Sequence, residues 1–246
     1  MFSAFRKNIK YLEEVSLTKG VLFFAIVPLT IVMLNANFLK NSYFDSILCY
    51  FVMIAYALLV GRRELLLKPN GSFKKNIKIV FGIFAASAIL GMIGVKIIGT
   101  DNPQGLDGVV YTGSQYLKLN SILPLIGFGE EFLCVLTFIG LFTLLPGELL
   151  RRFLFSLLGS SLIFGLLHAF HSPFTAVLAI GLGHIPFIFA TLYYKSILPA
   201  IGAHIMWDGM NFFGHYNEEL YFTFCSVLII AYFVYIFIPK KKAVPS

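Results

Sequence analysis

Two adjacent glutamates lie within a long apolar stretch of this chain, and they constrain its fold more than any other feature. Glu130 and Glu131 stand in a run that contains no lysine or arginine between Lys118 and Arg151. A charged side chain at the centre of a bilayer costs about 3 kcal/mol or more, unless a proton neutralises it. Ionisable residues at that depth are therefore rare and usually functional. The pair predicts a catalytic or ion-handling site inside a membrane.

The composition supports a membrane protein. Of the 246 residues, 58% are hydrophobic and only 13% are charged, whereas a soluble domain is about half apolar and about one quarter charged. The net charge of +7 would also suit a nucleic-acid-binding protein. However, the basic residues are concentrated in short loops and at the two ends, which is the pattern that sets membrane topology. Nucleic acid is therefore not an expected partner, and the lipid bilayer is.

Eight apolar stretches are long enough to cross a bilayer, for which about 20 residues are needed. They predict an all-α polytopic membrane protein, a bundle of about eight transmembrane helices. One membrane domain over residues 1–246 is expected, with its motif-bearing core at about 119–212. The connection Thr100–Asn120, rich in glycine and polar residues, is expected to be a loop, either a plain connector or a cap over a lateral or luminal opening. The predicted spans are near residues 20–38, 44–60, 77–98, 119–145, 153–170, 173–194, 197–212 and 219–238.

The distribution of basic residues predicts the orientation. With eight spans both termini lie on one side, and that side collects most of the lysines and arginines. The other side holds only Lys40, Lys96 and Lys118. Cytoplasmic loops carry the excess of basic residues, so both termini are expected in the cytoplasm. The short loops favour a bacterial cell membrane.

Three further ionisable residues interrupt later apolar runs: His168, His204 and Asp208. His204 and Asp208 are four residues apart and therefore share one helical face. Glu130 and Glu131 point about 100° apart, so that one can face a cavity while the other pairs with a neighbouring helix. Counted along their helices, Glu130 and His168 differ in height by about 8 Å. All five side chains can thus converge near the middle of the membrane.

The buried glutamates and histidines also allow purely structural interpretations. A buried glutamate can simply be protonated and hydrogen-bonded between helices, and His184 can serve either helix packing or support of the site. Cysteines 49, 134 and 225 show no CxxC spacing, so they are interpreted as packing residues.

Three motifs in order carry a family resemblance. The chain has EE at 130–131, FGLLH at 164–168 and AHIMWD at 203–208. Together they resemble the CPBP (Abi) family of intramembrane proteases, related to the type II CAAX prenyl endopeptidases, whose pattern is EExxxR, FxxxH and HxxxN or HxxxD. The resemblance covers roughly residues 125–212. It implies an eight-helix bundle with a cavity open toward the membrane.

The resemblance also implies roles for the site residues. Glu130 would activate the hydrolytic water and His168 would help to hold it. His204 and Asp208 would polarise the scissile carbonyl and stabilise the oxyanion, for which Asp208 must be protonated in order to donate. Such chemistry needs no cofactor. A divalent metal such as zinc, bound by glutamate and histidine, is the alternative.

One position departs from the family pattern. The motif arginine should stand at position 135, where this chain has Val135. Glu131 must then be protonated or paired with a group on another helix. Arg152 follows Glu148 at the motif spacing, but it lies at the predicted cytoplasmic turn and is not taken as the motif arginine.

The leading hypothesis is an intramembrane glutamic endopeptidase acting on a peptide or membrane-protein substrate, with Glu130, Glu131, His168, His204 and Asp208 as its site residues. The second is a non-catalytic peptide-binding, immunity or regulatory membrane protein on the same fold, suggested by Val135. A third is an ion or proton translocator, since glutamate and histidine also form proton relays inside membranes.

Overall fold

The protein is described here from a computed structural model, which covers residues 9–36, 38–100, 102, 105–169 and 174–237. For residues 228–237 only the backbone is described. All regular structure within these ranges is helical. The prediction of an all-α polytopic membrane protein is confirmed.

Eight helices follow a short 3-10 helix at Lys10–Glu14 in the described part of the chain. The first, α1, has two segments that meet at Ala25. The bounds are α1 Leu17–Phe24 and Ile26–Asn35, α2 Ser42–Gly61, α3 Phe73–Ile98, α4 Gly113–Leu144, α5 Leu149–His168, α6 Ala176–Tyr194, α7 Leu198–Tyr216 and α8 Glu218–Phe237.

Helices α1 to α6 are long and apolar enough to cross a membrane. Helix α7, which carries two of the predicted site residues, is not in this group. It contains four polar or ionisable residues: His204, Asp208, Asn211 and His215. It nevertheless packs against α3, α4 and α6 inside the bundle. Of the predicted span 219–238, residue 238 lies outside the described residues.

Polar caps set where several helices begin. The side chains of Ser16, Asn41 and Ser72 accept hydrogen bonds from backbone N–H groups in the first turns of α1, α2 and α3. Thr112 and Gln115 form a reciprocal capping box at the start of α4, which satisfies donors that a helix end leaves free. The predicted loop Thr100–Asn120 is therefore wrong in its second half, because α4 begins at Gly113 and not near 119.

Helix α4 forms the centre of the molecule. It packs against α1, α2, α5 and α7, and its side chains Phe132, Leu136 and Phe138 are almost completely buried. A side chain at Gly140 would place its Cβ 2.8 Å from the backbone nitrogen of Phe24, so α1 and α4 can approach this closely only because a glycine stands there. Small residues of this kind drive helix packing in membranes.

Glycines also bring α6 against α5 and α3. A Cβ at Gly181 would lie 2.9 Å from the Ser161 carbonyl oxygen on α5, and one at Gly94 of α3 would lie 2.7 Å from the Ala179 Cα. Gly181 is three residues before His184. The close contact therefore fixes the height at which His184 faces the interior.

Candidate active site

The five predicted site residues lie together in the structure. Glu130 and Glu131 are near the middle of α4, His168 is the last residue of α5, and His204 and Asp208 are on α7. The Nε2 atom of His204 is 3.1 Å from Glu130 Oε2 and 3.6 Å from Asp208 Oδ2. The predicted shared face of His204 and Asp208 is thus confirmed, and three helices converge on one cluster.

Glu130 is held from two sides. The Tyr50 hydroxyl on α2 donates a hydrogen bond of 2.8 Å to its Oε1. Its Oε2 faces the imidazoles of His204 at 3.1 Å and of His168 at 3.9 Å. Only a tenth of its side chain is exposed. The carboxylate is therefore oriented by a phenol while its other oxygen points between two histidines.

Tyr50 was not predicted from the sequence. A Cβ on Gly129 would lie 2.8 Å from Tyr50 Cδ1, so the glycine directly before the two glutamates leaves room for this ring. The glycine was a visible signal that something approaches α4 closely at this point. Which side chain approaches depends on helix packing.

Glu131 is completely buried and turns to a different pair of groups. Its Oε1 is 2.7 Å from His204 Nδ1 and 3.4 Å from His184 Nε2 on α6. The two glutamates thus have different orientations, and Glu131 pairs with other helices as expected. Val135 lies fully buried in the apolar core, so the hydrogen-bonded partner of Glu131 is the His204 imidazole, while His184 Nε2 lies close by without a hydrogen bond.

Arg152 lies in another environment. Its Nε and Nη2 atoms donate to the Phe142 carbonyl oxygen at 2.9 and 2.7 Å, and its guanidinium is 4.2 Å from the centroid of the Phe142 ring. These contacts tie the start of α5 to the end of α4. Arg152 is accounted for as a structural residue at this turn, in agreement with its exclusion from the motif.

The hydrogen bonds indicate which ring nitrogen carries a proton. His168 Nδ1 is 3.0 Å from the Phe164 carbonyl oxygen, which can only accept, so Nδ1 is protonated and Nε2 faces Glu130. In His204 an Nδ1–H that donates to the Glu131 carboxylate leaves Nε2 to face Glu130 and Asp208. A close contact between an imidazole nitrogen and a carboxyl oxygen requires a proton between them. The His204–Glu130 pair therefore shares a proton.

Aromatic rings enclose the histidines. The Phe164 ring centroid lies 4.5 Å from that of His168 and 4.1 Å from that of His184. Phe187 stacks on His184 at 4.7 Å with nearly parallel planes. Such rings fix the imidazole orientations and keep bulk water from the buried hydrogen bonds.

A cavity of about 330 Å³ opens beside the cluster, between α3, α5, α6 and α7. His168, His204 and Asp208 line it together with apolar and aromatic side chains, among them Trp207. This size falls in the range of small-molecule and peptide pockets. The cavity wall thus carries three imidazoles, those of His168, His184 and His204, and the Asp208 carboxyl group, and the Glu130 carboxylate lies next to two of these histidines.

Three buried side chains have the donor types that zinc prefers: Glu131, His184 and His204, with one ligand atom each within 4.8 Å of the others. Ligands of a tetrahedral zinc ion lie roughly 3.4 Å apart. Glu131 and His204 are closer, at 2.7 Å, and this distance suits a direct hydrogen bond. A bound metal would have to move Glu131 and His204 apart. The metal alternative stays a prediction, for which these three residues are the candidate ligands.

Comparison with known protein families gives a match over part of the chain. The family model described as type II CAAX prenyl endopeptidase Rce1-like matches residues 112–210, a stretch that runs from the capping box of α4 to α7 and includes the whole cluster. The comparisons with curated proteins and with solved structures returned no match.

Proposed function

We propose that this protein is an intramembrane glutamic endopeptidase. The proposal starts from its membership of the CPBP family, which includes the Rce1-like type II CAAX prenyl endopeptidases. The family implies peptidase activity in general. The observation that carries the specific proposal is the position of Glu130 Oε2, which faces His204 at 3.1 Å and His168 at 3.9 Å beside the cavity.

Glu130 is the proposed general base. A water molecule in the cavity would be held between Glu130 Oε2 and His168 Nε2, a gap wide enough for the two groups to share it. The Nδ1–H of His168 is engaged by the Phe164 carbonyl, which leaves Nε2 as the acceptor for a water proton. Tyr50 keeps the carboxylate in place. General bases of this kind contribute about 10²- to 10⁴-fold to a rate.

His204 and Asp208 are the proposed oxyanion donors. When water attacks the scissile carbonyl carbon, the carbonyl oxygen gains negative charge and needs donors that are already in place. In the resting site the His204 Nε2–H faces Glu130, and once Glu130 has taken a proton from the water this N–H is free for the oxyanion. Glu131 still accepts from the His204 Nδ1–H, and a protonated Asp208 offers its carboxyl hydrogen. The two groups are 3.6 Å apart, close enough to address one oxygen.

The protons balance over the whole reaction. Glu130 takes one proton from the attacking water, and the hydroxyl oxygen forms the new bond to the carbonyl carbon. As the carbon–nitrogen bond breaks, Glu130 returns that proton to the leaving nitrogen. The products are a carboxyl terminus and an amino terminus, and the site regains its starting protonation without a covalent intermediate or a cofactor.

The proposed substrate is a peptide or the segment of a membrane protein that enters the cavity from the bilayer. The proposed location is a bacterial cell membrane with both termini in the cytoplasm, as the distribution of basic residues predicts. Helices α1 to α6 suit this environment.

The proposal can be tested by comparing protein termini in membrane fractions of cells that express the wild type, E130Q or E148Q. Glu148 is an exposed carboxylate outside the cluster and serves as the matched control. New termini should appear with the wild type and with E148Q and be lost with E130Q. The same termini in all three strains would contradict the proposal.

A second candidate function is non-catalytic binding of a peptide or partner protein on the same fold. It is favoured by Val135, which replaces the family arginine with an apolar core residue. This function would require the cavity but not the base. A cellular phenotype that survives E130Q yet is lost when the cavity is filled by a bulky residue would support binding over hydrolysis.

A further inference from the structure

A second groove runs along the outside of α3 and α6, away from the site cluster. It has a volume of about 510 Å³. Lys75 and Lys78 line one end of it beside Tyr194, and the remainder of the wall is apolar, with Ile79 and Pro186 among its residues. A groove that is basic at one end and apolar along the rest of its wall suits an amphiphilic ligand with an anionic head group.

The basic end carries uncompensated positive charge. Lys75 and Lys78 are three residues apart and stand in the first turns of α3, which begins at Phe73, where the helix dipole adds further positive potential. The Lys75 ammonium lies 5.8 Å from the centroid of the Tyr194 ring. Among the described residues, no aspartate or glutamate forms an ion pair with either lysine. The position at the end of a spanning helix is the level of lipid headgroups.

The apolar length of the groove matches one membrane leaflet. From Lys75 to Ala86, the last residue of α3 on its wall, the helix rises about 16 Å. Half of a hydrocarbon core about 30 Å thick is about 15 Å. A molecule whose anionic group binds the lysines would therefore reach the middle of the bilayer with its apolar part.

The inner end of the groove adjoins the cavity of the candidate active site. The groove wall includes Ala86 and Pro186, and the cavity wall includes their neighbours Ser87 and Phe187. Both spaces thus follow the same pair of helices, one after the other.

We propose that this α3–α6 groove binds an anionic phospholipid from the leaflet on its basic side. The phosphate lies against Lys75 and Lys78, and an acyl chain follows the apolar wall toward Ala86 and Pro186. An acidic peptide would match the charge, but an apolar wall would leave its backbone N–H and C=O groups unpaired at a substantial cost. Hydrocarbon meets no such penalty, and clusters of lysines at this level attract anionic lipids.

Two sets of variants, each with its own control, separate this site from general attraction to a charged membrane. K75Q and K78Q each remove one charge from the groove, whereas K74Q removes the same charge from the exposed neighbouring residue, which does not line the groove. A Cβ on Gly82 meets nothing within 4 Å, so G82L can fill the groove without a clash. A85L places the same leucine side chain at an exposed position of α3 outside the groove.

The single tryptophan of the chain provides the readout. Trp207 contacts Phe84 of α3, with ring centroids 5.1 Å apart, and lines the adjoining cavity. The protein would be reconstituted in vesicles of unlabelled phosphatidylcholine. Increasing amounts of a lipid with brominated acyl chains would then be included, either brominated phosphatidylglycerol or brominated phosphatidylcholine. Quenching of Trp207 fluorescence then reports bromine near the inner end of the groove.

The brominated anionic lipid should quench at a lower mole fraction than the zwitterionic one. That mole fraction should rise about fivefold for each groove lysine removed, and the preference should be lost in G82L, while K74Q and A85L behave like the wild type. Equal quenching by both lipids, or a preference unchanged in K75Q, K78Q and G82L, would overturn the proposal. So would lost proteolysis in G82L with unchanged quenching, which would assign the groove to substrate instead. The readout needs no catalysis, so it is independent of the proposed protease activity.

Discussion

Helices α3 and α4 have nearly the same mean hydropathy but opposite positions in the molecule. The most apolar windows of α4 and α3 score 1.9 and 2.1, yet 83% of the α4 window is buried and only 22% of the α3 window. In a bilayer both lipid and protein interior are apolar, so hydropathy cannot separate a central helix from a peripheral one. The feature that does separate them is charge: α4 carries Glu130 and Glu131 within its apolar run, whereas the lysines of α3 stand near its ends.

The contrast in burial predicts a contrast in stability. Phe138 on α4 is completely buried and Phe81 on α3 is 58% exposed. F138A should lower the free energy of unfolding by about 3–5 kcal/mol because it leaves a cavity. F81A should change the free energy of unfolding by less than about 0.5 kcal/mol, because the Phe81 side chain faces lipid and its removal leaves no cavity in the protein. Unfolding of the two variants in mixed micelles, followed by circular dichroism, checks this, and equal losses would show that α4 is not the packed centre.

The second prediction concerns the charged face of α7 that meets α4. If Asp208 acts by donating a hydrogen bond to the oxyanion, D208A should lower the rate of peptide hydrolysis about 10²- to 10³-fold. D208N should retain most of the activity, because an amide donates without needing a proton from solution. The rates of the two variants on one peptide substrate decide between donor and base. An asparagine variant as inactive as the alanine variant would rule out the donor role.

The smallest expected effect tests a hydrogen bond that the peripheral helix α2 makes to the site. Helix α2 is as lipid-exposed as α3, but its Tyr50 hydroxyl reaches Glu130. Y50F should lower the rate about two- to tenfold, the value of a typical hydrogen bond. Y56F is the matched control, since the Tyr56 hydroxyl on the same helix donates to the Leu22 carbonyl. Equal effects of the two changes would mean that Tyr50 contributes only to packing.

The fold class could be predicted from local apolar patterns, and the convergence of the site residues from their depths along the helices and from the three ordered motifs. Apolar runs set the eight helices, and the spacing of His204 and Asp208 placed both on one face of α7. The capping box of Thr112 and Gln115 was also present in the sequence, but the polar composition of this stretch favoured a loop, and the start of α4 was placed too late.

The contacts between helices could not be predicted in the same way. That Glu131 would pair with His204 and His184, or that Tyr50 would reach Glu130, depends on how closely helices pack at Gly129 and Gly181. A glycine permits a close approach without naming the neighbour. The division of α1 at Ala25 did have a signal in the sequence, since Pro28 cannot donate to the Phe24 carbonyl and its ring clashes with it.

The central claim is that Glu130 activates the hydrolytic water, and the rate of peptide-bond hydrolysis by purified protein in liposomes tests it most directly. A substrate identified by its new terminus would be supplied to the wild type, E130Q and E148Q, with the helical content of each checked beforehand. The account predicts that E130Q is slower by about 10²- to 10⁴-fold and that E148Q matches the wild type. Hydrolysis by a folded E130Q at the wild-type rate would contradict it.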